Sequence, residues 1–307
     1  MRIAVVGAGG VGGGFGAALA KAGADVTFLA RGAHLTAMKS VGLKVQSPRG
    51  DTHLVPTQAT DDPAAIGTVD VVLFCVKLWD IESAGEKIKP LIGPDTAVIT
   101  LQNGVDAPER LIPILGRSAV MGGVAQISAS IIAPGVIQQV GTFMRMVFGE
   151  FDGSRSRRAE DFLALCQKAG FDASLSEQIL TELWMKFILL ASNAGMMALS
   201  RQPIGALRDD PDLRPIFVAA YQETIDVGRA RGVALPADAL ERIVELTRHF
   251  PPAMKASMAL DLDRGNRLEV PWLSGKVAEL GRQLGIPTPT HNMVYAMLKP
   301  YVKGAAG

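Results

Sequence analysis

Lys186 is the residue whose neighbours most constrain its chemistry. It lies in Leu183-Trp184-Met185-Lys186-Phe187-Ile188-Leu189-Leu190, a helical stretch that is apolar on every face except at the lysine. A helix apolar all round is a buried one, here expected between two domains, so the ammonium is poorly solvated. Desolvation disfavours the charged form and lowers a lysine's pKa, which suits a general acid that must release a proton near neutral pH. The plainer alternative is an edge lysine whose stem covers apolar surface while its head reaches water. Asn193, seven residues on, projects from nearly the same helical face and is either a substrate-holding amide or a helix-packing one. Near the C-terminus, Ser257 begins a helical region and Glu269 precedes Val270-Pro271 at a helix start. Residue chemistry alone leaves both open, since Glu269 can simply complement a helix dipole and Ser257 can simply face solvent.

A second constellation lies at the N-terminus, where Gly7-Ala8-Gly9-Gly10-Val11-Gly12 fits G-x-G-x-x-G. The first glycine makes a tight turn, the second lets backbone approach a pyrophosphate, and the third lets helix pack close on strand. The helix N–H groups are then aimed at the anion. The motif follows a strand and opens a helix, as a dinucleotide site requires. An acid for the ribose 2′-hydroxyl is usual about 20 residues beyond such a motif. Here Arg31 stands nineteen residues beyond Gly12 and FLARGAH holds no Asp or Glu, which favours a 2′-phosphate and so NADPH over NADH. Lys77 follows the run VVLFCV and Asn103 follows AVITL, both at strand C-terminal ends where open α/β sheets bind ligands. Against this, Lys77 can be a snorkelling surface lysine and Asn103, before Gly104, a simple turn residue.

The elements that must position these groups alternate in the first half. Apolar runs at 3–6, 25–29, 69–76, 97–101 and 119–125 read as strands of a parallel sheet covered on both faces, with a helix over 15–22. From about Ile131 come shorter extended pieces separated by glycine, then a helix over 155–169 and a last strand in FDASLS. The boundary falls near Ser176, giving a doubly wound domain at 1–176 and a helical domain at 177–307. In the second, helices are expected at 177–199, from the N-cap Asp210 with Pro211 in the first turn to Gly232, at 236–250, 253–263 and 271–284, with a short one before Pro300.

Composition sets the bounds. A length of 307 residues with 48% hydrophobic residues suits two cores. With 31 basic and 30 acidic side chains, the chain lacks the charge excess of a nucleic-acid binder or a disordered segment. Cys75 and Cys166 lie in apolar runs and read as buried small hydrophobes, which fits a reducing compartment. His34, His53, His249 and His291 are scattered, so no metal is expected. The uncharged stretch 3–20 imitates a signal peptide or a membrane span, but its seven glycines would weaken a free helix by about 1 kcal/mol each relative to alanine. The expectation is a cytoplasmic protein without a membrane anchor.

Taken together, these residues resemble the ketopantoate reductase family (2-dehydropantoate 2-reductases) over essentially the whole chain. The marks are GAGGVGG, Arg31 in LAR, Lys77 in VKLWD, Gln102-Asn103-Gly104, Trp184-x-Lys186, and Ser257-Met258 followed by Glu269. The resemblance implies a Rossmann domain joined to an all-helical domain of the 6-phosphogluconate dehydrogenase C-terminal type, with NADPH and a 2-oxo acid meeting in the cleft. It implies Lys186 as the acid that protonates the carbonyl oxygen, Glu269 as its polar partner, Asn103 and Lys77 near nicotinamide and substrate, and Ser257 on the substrate. The implied reaction is NADPH-dependent reduction of 2-dehydropantoate to pantoate. The largely apolar helical domain makes a homodimer the expected state. Two positions depart from the family pattern: Leu190, four residues after the lysine, and Met254, three before the serine, stand where asparagine is usual. Lost hydrogen bonds to a substrate hydroxyl can cost orders of magnitude in discrimination, so a more apolar 2-oxo acid is the alternative substrate. A 3-hydroxy acid dehydrogenase and a non-catalytic NADP sensor are the other readings.

Overall fold

Strands covered on both faces should be buried at every position, and Val71–Phe74 and Ala97–Thr100 are. The computed structural model describes residues 1–304, so 305–307 of the expected second domain lie outside the described residues. The chain divides into two compact units, Met1–Glu182 and Leu183–Gly307. The division falls six residues beyond Ser176, because the segment after the last strand still packs on the sheet: a Cβ on Gly149 would meet the Ser176 carbonyl oxygen and Ile179.

In the first unit the order is β1 (Arg2–Val6), α1 (Gly10–Lys21), β2 (Asp25–Leu29), α2 (Gly32–Ser40), β3 (Leu43–Gln46), β4 (Thr52–Leu54), β5 (Ala59–Thr60), β6 (Val71–Phe74), α3 (Ile81–Lys87), β7 (Ala97–Thr100), α4 (Ala107–Leu115), β8 (Val120–Ala133), β9 (Val136–Gly149), α5 (Arg157–Lys168) and β10 (Asp172–Leu175). One sheet joins them in the order β4-β3-β9-β8-β7-β6-β1-β2-β5, with β10 on β9. The run from β8 through β7, β6, β1 and β2 to β5 is parallel, as the continuous apolar strands require. Phe15 of α1 and Phe162 of α5 are fully buried in the core; Phe162 meets Phe148 of β9 at 5.0 Å between ring centroids.

The glycine-separated pieces expected after Ile131 are not short. β8 and β9 are antiparallel partners of fourteen residues each, joined at a turn where Gly135 has φ of 75°. Of the glycines that looked like breaks, Gly135 makes the turn, Gly141 lies inside β9 at φ of 72°, a conformation glycine adopts at no steric cost, and Gly149 ends β9 where a Cβ would lie 2.1 Å from the Ser176 carbonyl oxygen.

The second unit carries most of α6 (Ile179–Ser200), then α7 (Ile204–Asp209), α8 (Leu213–Ala230), α9 (Ala239–Arg248), α10 (Ser257–Asp263), α11 (Ser274–Leu284) and α12 (Pro289–Leu298). α8 starts later than expected, with Asp212 rather than Asp210 at its N-cap; Asp210 lies two residues before that cap, its Oδ1 accepting from the N–H groups of Asp212 and Leu213 at 2.9 Å each. α6 is long and apolar enough to cross a membrane, but 67% of that stretch is buried inside the fold, which marks a core helix.

Candidate active site

The glycine turn after β1 distributes its glycines by need. Gly7 has φ of 97°, and a Cβ there would lie 2.9 Å from the backbone of Cys75 and Val76. A Cβ on Gly12 would lie 2.2 Å from the Gly7 carbonyl oxygen, so this glycine closes helix on turn. Gly9, between them, caps α1 in extended backbone, and a Cβ there would meet nothing within 4 Å. The flank of the turn at Gly9 is thus open, while the flanks at Gly7 and Gly12 are filled. That fits a pyrophosphate approaching the backbone at Gly9, with the first N–H groups of α1, at Gly10 and Val11, beside it. Ala8 is buried and Val11 half-buried.

β1 is flanked by β2 and β6, and the residues that follow those two strands meet. Arg31, which caps α2 and keeps 86% of its side chain exposed, donates from Nη2 to Asp80 Oδ2 at 3.2 Å. The sequence around Arg31 shows no competing acid; the fold brings one from the far side of β1. Lys77, exposed, holds its Nζ 5.6 Å from the centroid of the Trp79 ring. Asn103, half-buried, follows β7. Its neighbour Gln102 is buried and donates from Nε2 to the carbonyl oxygens of Phe74, at 2.8 Å, and Val76, at 3.2 Å. Gln102 therefore fixes the C-terminal end of β6 against that of β7. Sequence reasoning used it only as a motif letter.

A larger concavity of the first unit, about 1020 Å³, is lined by Asp70, Asp95, Ser118 and Glu150 among others. Asp70, Asp95 and Ser118 precede β6, β7 and β8, so this groove opens at strand N-terminal ends, away from where such sheets bind ligands.

In the helical unit Lys186 is half-buried on α6, and Glu269, only 6% exposed, stands just before a 3₁₀ turn at Val270–Trp272. Burial pushes the Lys186 ammonium down to about 8, and the charge of Glu269 opposes that shift. A lysine so placed holds a proton at neutral pH and gives it up readily. Ser257 is exposed at the start of α10. Asn193 is buried, and the buried Tyr221 hydroxyl of α8 donates to its Oδ1, so the Asn193 oxygen serves helix packing. Leu190 and Met254 are both half-buried.

Among the described residues no group of three His, Cys, Asp or Glu side chains is placed to hold a metal ion. Burial raises the pKa of both Cys75 and Cys166, as for inert core thiols.

Residues 3–153 match the family described as ketopantoate reductase PanE/ApbA, and residues 178–302 match its C-terminal domain. The chain belongs to the ketopantoate reductase family. It is accordingly an oxidoreductase of an NAD(P)-dependent family with a Rossmann-type sheet and a helical C-terminal domain. A 2-dehydropantoate 2-reductase of Mesorhizobium japonicum is 31% identical over 97% of each chain. The crystal structure of a 2-dehydropantoate 2-reductase from Geobacter metallireducens superposes with a TM-score of 0.90 at 30% identity, covering 98% of this chain and 99% of that one. The fold extends further: a D-mandelate dehydrogenase held with NADH and anilino(oxo)acetate superposes at a TM-score of 0.89 with 18% identity, over 98% of both chains.

Proposed function

We propose that this ketopantoate reductase family member reduces the ketone of a branched 2-oxo acid with NADPH, and that the acid is 2-dehydropantoate, reduced to pantoate. The observation that carries the reading is Lys186, an ammonium lowered by burial to about 8 beside the buried Glu269. The nicotinamide, when bound, supplies the hydride; the chain's own residues hold the dinucleotide, place the carbonyl and meet the charge that grows on its oxygen. Nζ of Lys186 donates its proton to that oxygen as the alkoxide forms, and the neutral amine left behind suits its desolvated site. Glu269 favours the ammonium before the transfer. Ser257 would hold the substrate from the helical unit, and Lys77 and Asn103 would serve the nicotinamide and substrate from the sheet unit. The open flank at Gly9 admits the pyrophosphate and Arg31 takes the 2′-phosphate.

A second reading keeps the chemistry and changes the acid. With Leu190 and Met254 at two family asparagine positions and the Asn193 oxygen taken by Tyr221, the helical unit has fewer polar groups for a substrate hydroxyl. A branched 2-oxo acid without pantoate's hydroxyls fits that better.

The test is the loss of NADPH absorbance with 2-dehydropantoate beside a series of other branched 2-oxo acids, for the wild type and K186M. Lysine-dependent loss fastest with 2-dehydropantoate is the expected result. Loss confined to another acid moves the substrate. Binding of NADPH without consumption on any acid overturns the reductase reading in favour of a sensor.

A further inference from the structure

His34 belongs to none of the roles above, yet it touches the glycine turn. It lies in the first turn of α2, half-buried, with Nε2 2.9 Å from the carbonyl oxygen of Ala8, the second residue of the G-x-G-x-x-G motif. Its other nitrogen, Nδ1, is 3.0 Å from the backbone nitrogen of Gly135, at the turn between β8 and β9. A backbone N–H only donates and a carbonyl only accepts. Both contacts are hydrogen bonds in one form of the ring, the neutral tautomer with its hydrogen on Nε2. Burial lowers the His34 pKa, in keeping with that neutral form.

The hairpin that His34 grips lies on the glycine turn and on α1. A Cβ on Gly10 would lie 2.0 Å from the Ala129 carbonyl oxygen of β8, and one on Gly13 would lie 2.0 Å from Ile137 Cδ1 of β9. A Cβ on Gly135 would lie 3.0 Å from Ala37 Cβ, one turn beyond His34 on α2. One imidazole thus ties three parts of the first unit: the glycine turn, α2 and the hairpin.

The consequence for binding follows from peptide geometry. In a trans peptide the C=O and the next N–H point in opposite directions. Holding the Ala8 carbonyl toward His34 turns the Gly9 N–H away from it. Gly9 is also the glycine whose flank is open. We propose that His34 is a positioning residue for the dinucleotide site, which locks the Ala8–Gly9 peptide so that the Gly9 N–H is presented to the pyrophosphate. The inference rests on the NADPH reading above and deepens it.

The experiment measures equilibrium binding of NADPH, NADH and adenosine 2′-monophosphate to the full chain and to H34A. The pyrophosphate is common to the two dinucleotides, and the monophosphate carries neither of its phosphoryl groups. The expected result is a Kd raised about tenfold for both NADPH and NADH, the size of one lost charge-assisted hydrogen bond. Adenosine 2′-monophosphate binding stays within about twofold, as does kcat at saturating NADPH. Unchanged Kd values for both dinucleotides overturn the proposal, as does an equal loss for the monophosphate, which would mean general loosening. Should H34A not fold, H34N keeps an acceptor for the Gly135 N–H and removes the donor to Ala8; wild-type dinucleotide affinity in H34N also overturns it. A wild type that binds neither dinucleotide would instead remove the NADPH reading on which it stands.

Discussion

The Arg31 guanidinium and the Asp80 carboxylate form an ion pair of 3.2 Å above the glycine turn, reaching from strands on either side of β1. The arginine is 86% exposed, so the pair contributes little to stability. Under the NADPH proposal its weight would lie in selectivity, because a 2′-phosphate bound by Arg31 would have to draw it from Asp80 and sit near that carboxylate. R31A should raise the NADPH Kd at least about tenfold, in line with the loss of a charge-assisted pair, and leave NADH almost unchanged. D80N should tighten NADPH by about threefold, because it frees the guanidinium and removes a like charge. Equal losses for both cofactors in R31A, measured by titration, would reject the 2′-phosphate assignment.

The glycines of the turn separate binding from folding. G9A places a methyl where no atom lies within 4 Å, in backbone at φ of −76° that alanine adopts freely. Its thermal midpoint should stay within about 2 °C of wild type, since an N-cap glycine replaced by alanine costs well under 1 kcal/mol to about that much. Its NADPH Kd should rise at least about tenfold, because the methyl occupies the approach to the backbone. G12A drives a methyl to 2.2 Å from the Gly7 carbonyl oxygen and should lower the midpoint sharply. Wild-type NADPH affinity in G9A would place the pyrophosphate elsewhere.

What the sequence revealed and hid has physical causes. The strands β1, β6 and β7 were legible because burial on both faces makes them continuous apolar runs. The long hairpin was not, since Gly141 inside β9 and Gly149 at its end read as breaks in a local window, while the pairing of β9 with β8 carries the strand through them. Short strands β3, β4 and β5 carry no such run and gave no signal. Lys186 was legible as the one charge in the apolar run 183–190 of α6. Asp80 and His34 were not, because each gains meaning only from a residue that the fold brings beside it, Arg31 in one case and Gly135 in the other. For Asn193, helical spacing gives a face and says nothing of the Tyr221 hydroxyl that donates to its oxygen there.

In the proposed mechanism Lys186 would set an alkaline limit on the reaction. The proton would have to be on Nζ for the transfer, and burial in the free protein brings the group to about 8, so kcat/KM should fall about tenfold per pH unit above that value. Glu269 raises the Lys186 pKa against the effect of burial. E269Q removes that charge, so its limb should move to lower pH. K186M should lower kcat by about 10²–10⁴-fold while NADPH binding stays within about twofold. A pH profile of kcat/KM for E269Q that falls at the same pH as wild type would separate Glu269 from the lysine.

The helical unit carries its own acid sensitivity at His291. The ring is 1% exposed, with Nε2 2.9 Å from both the Ala220 carbonyl oxygen and the Thr224 hydroxyl, and Nδ1 is buried without a partner. The backbone N–H groups of Thr290 and His291 donate to the Glu223 carboxylate at 2.8 and 3.0 Å, which caps α12. Burial lowers the His291 pKa below its ordinary 6.5, and the Ala220 bond and the Glu223 charge offset this only in part. The unfolded chain therefore takes up a proton first as pH falls. Stability is full above about 6.5 and declines below it, toward the lowered value of the folded state. H291L removes the titrating group, and the Thr224 hydroxyl still donates to the Ala220 carbonyl at 3.0 Å. The wild-type thermal midpoint should drop between pH 7.5 and 5, and H291L should lose clearly less over that range. Parallel midpoint curves for the two proteins would assign the acid sensitivity to another group.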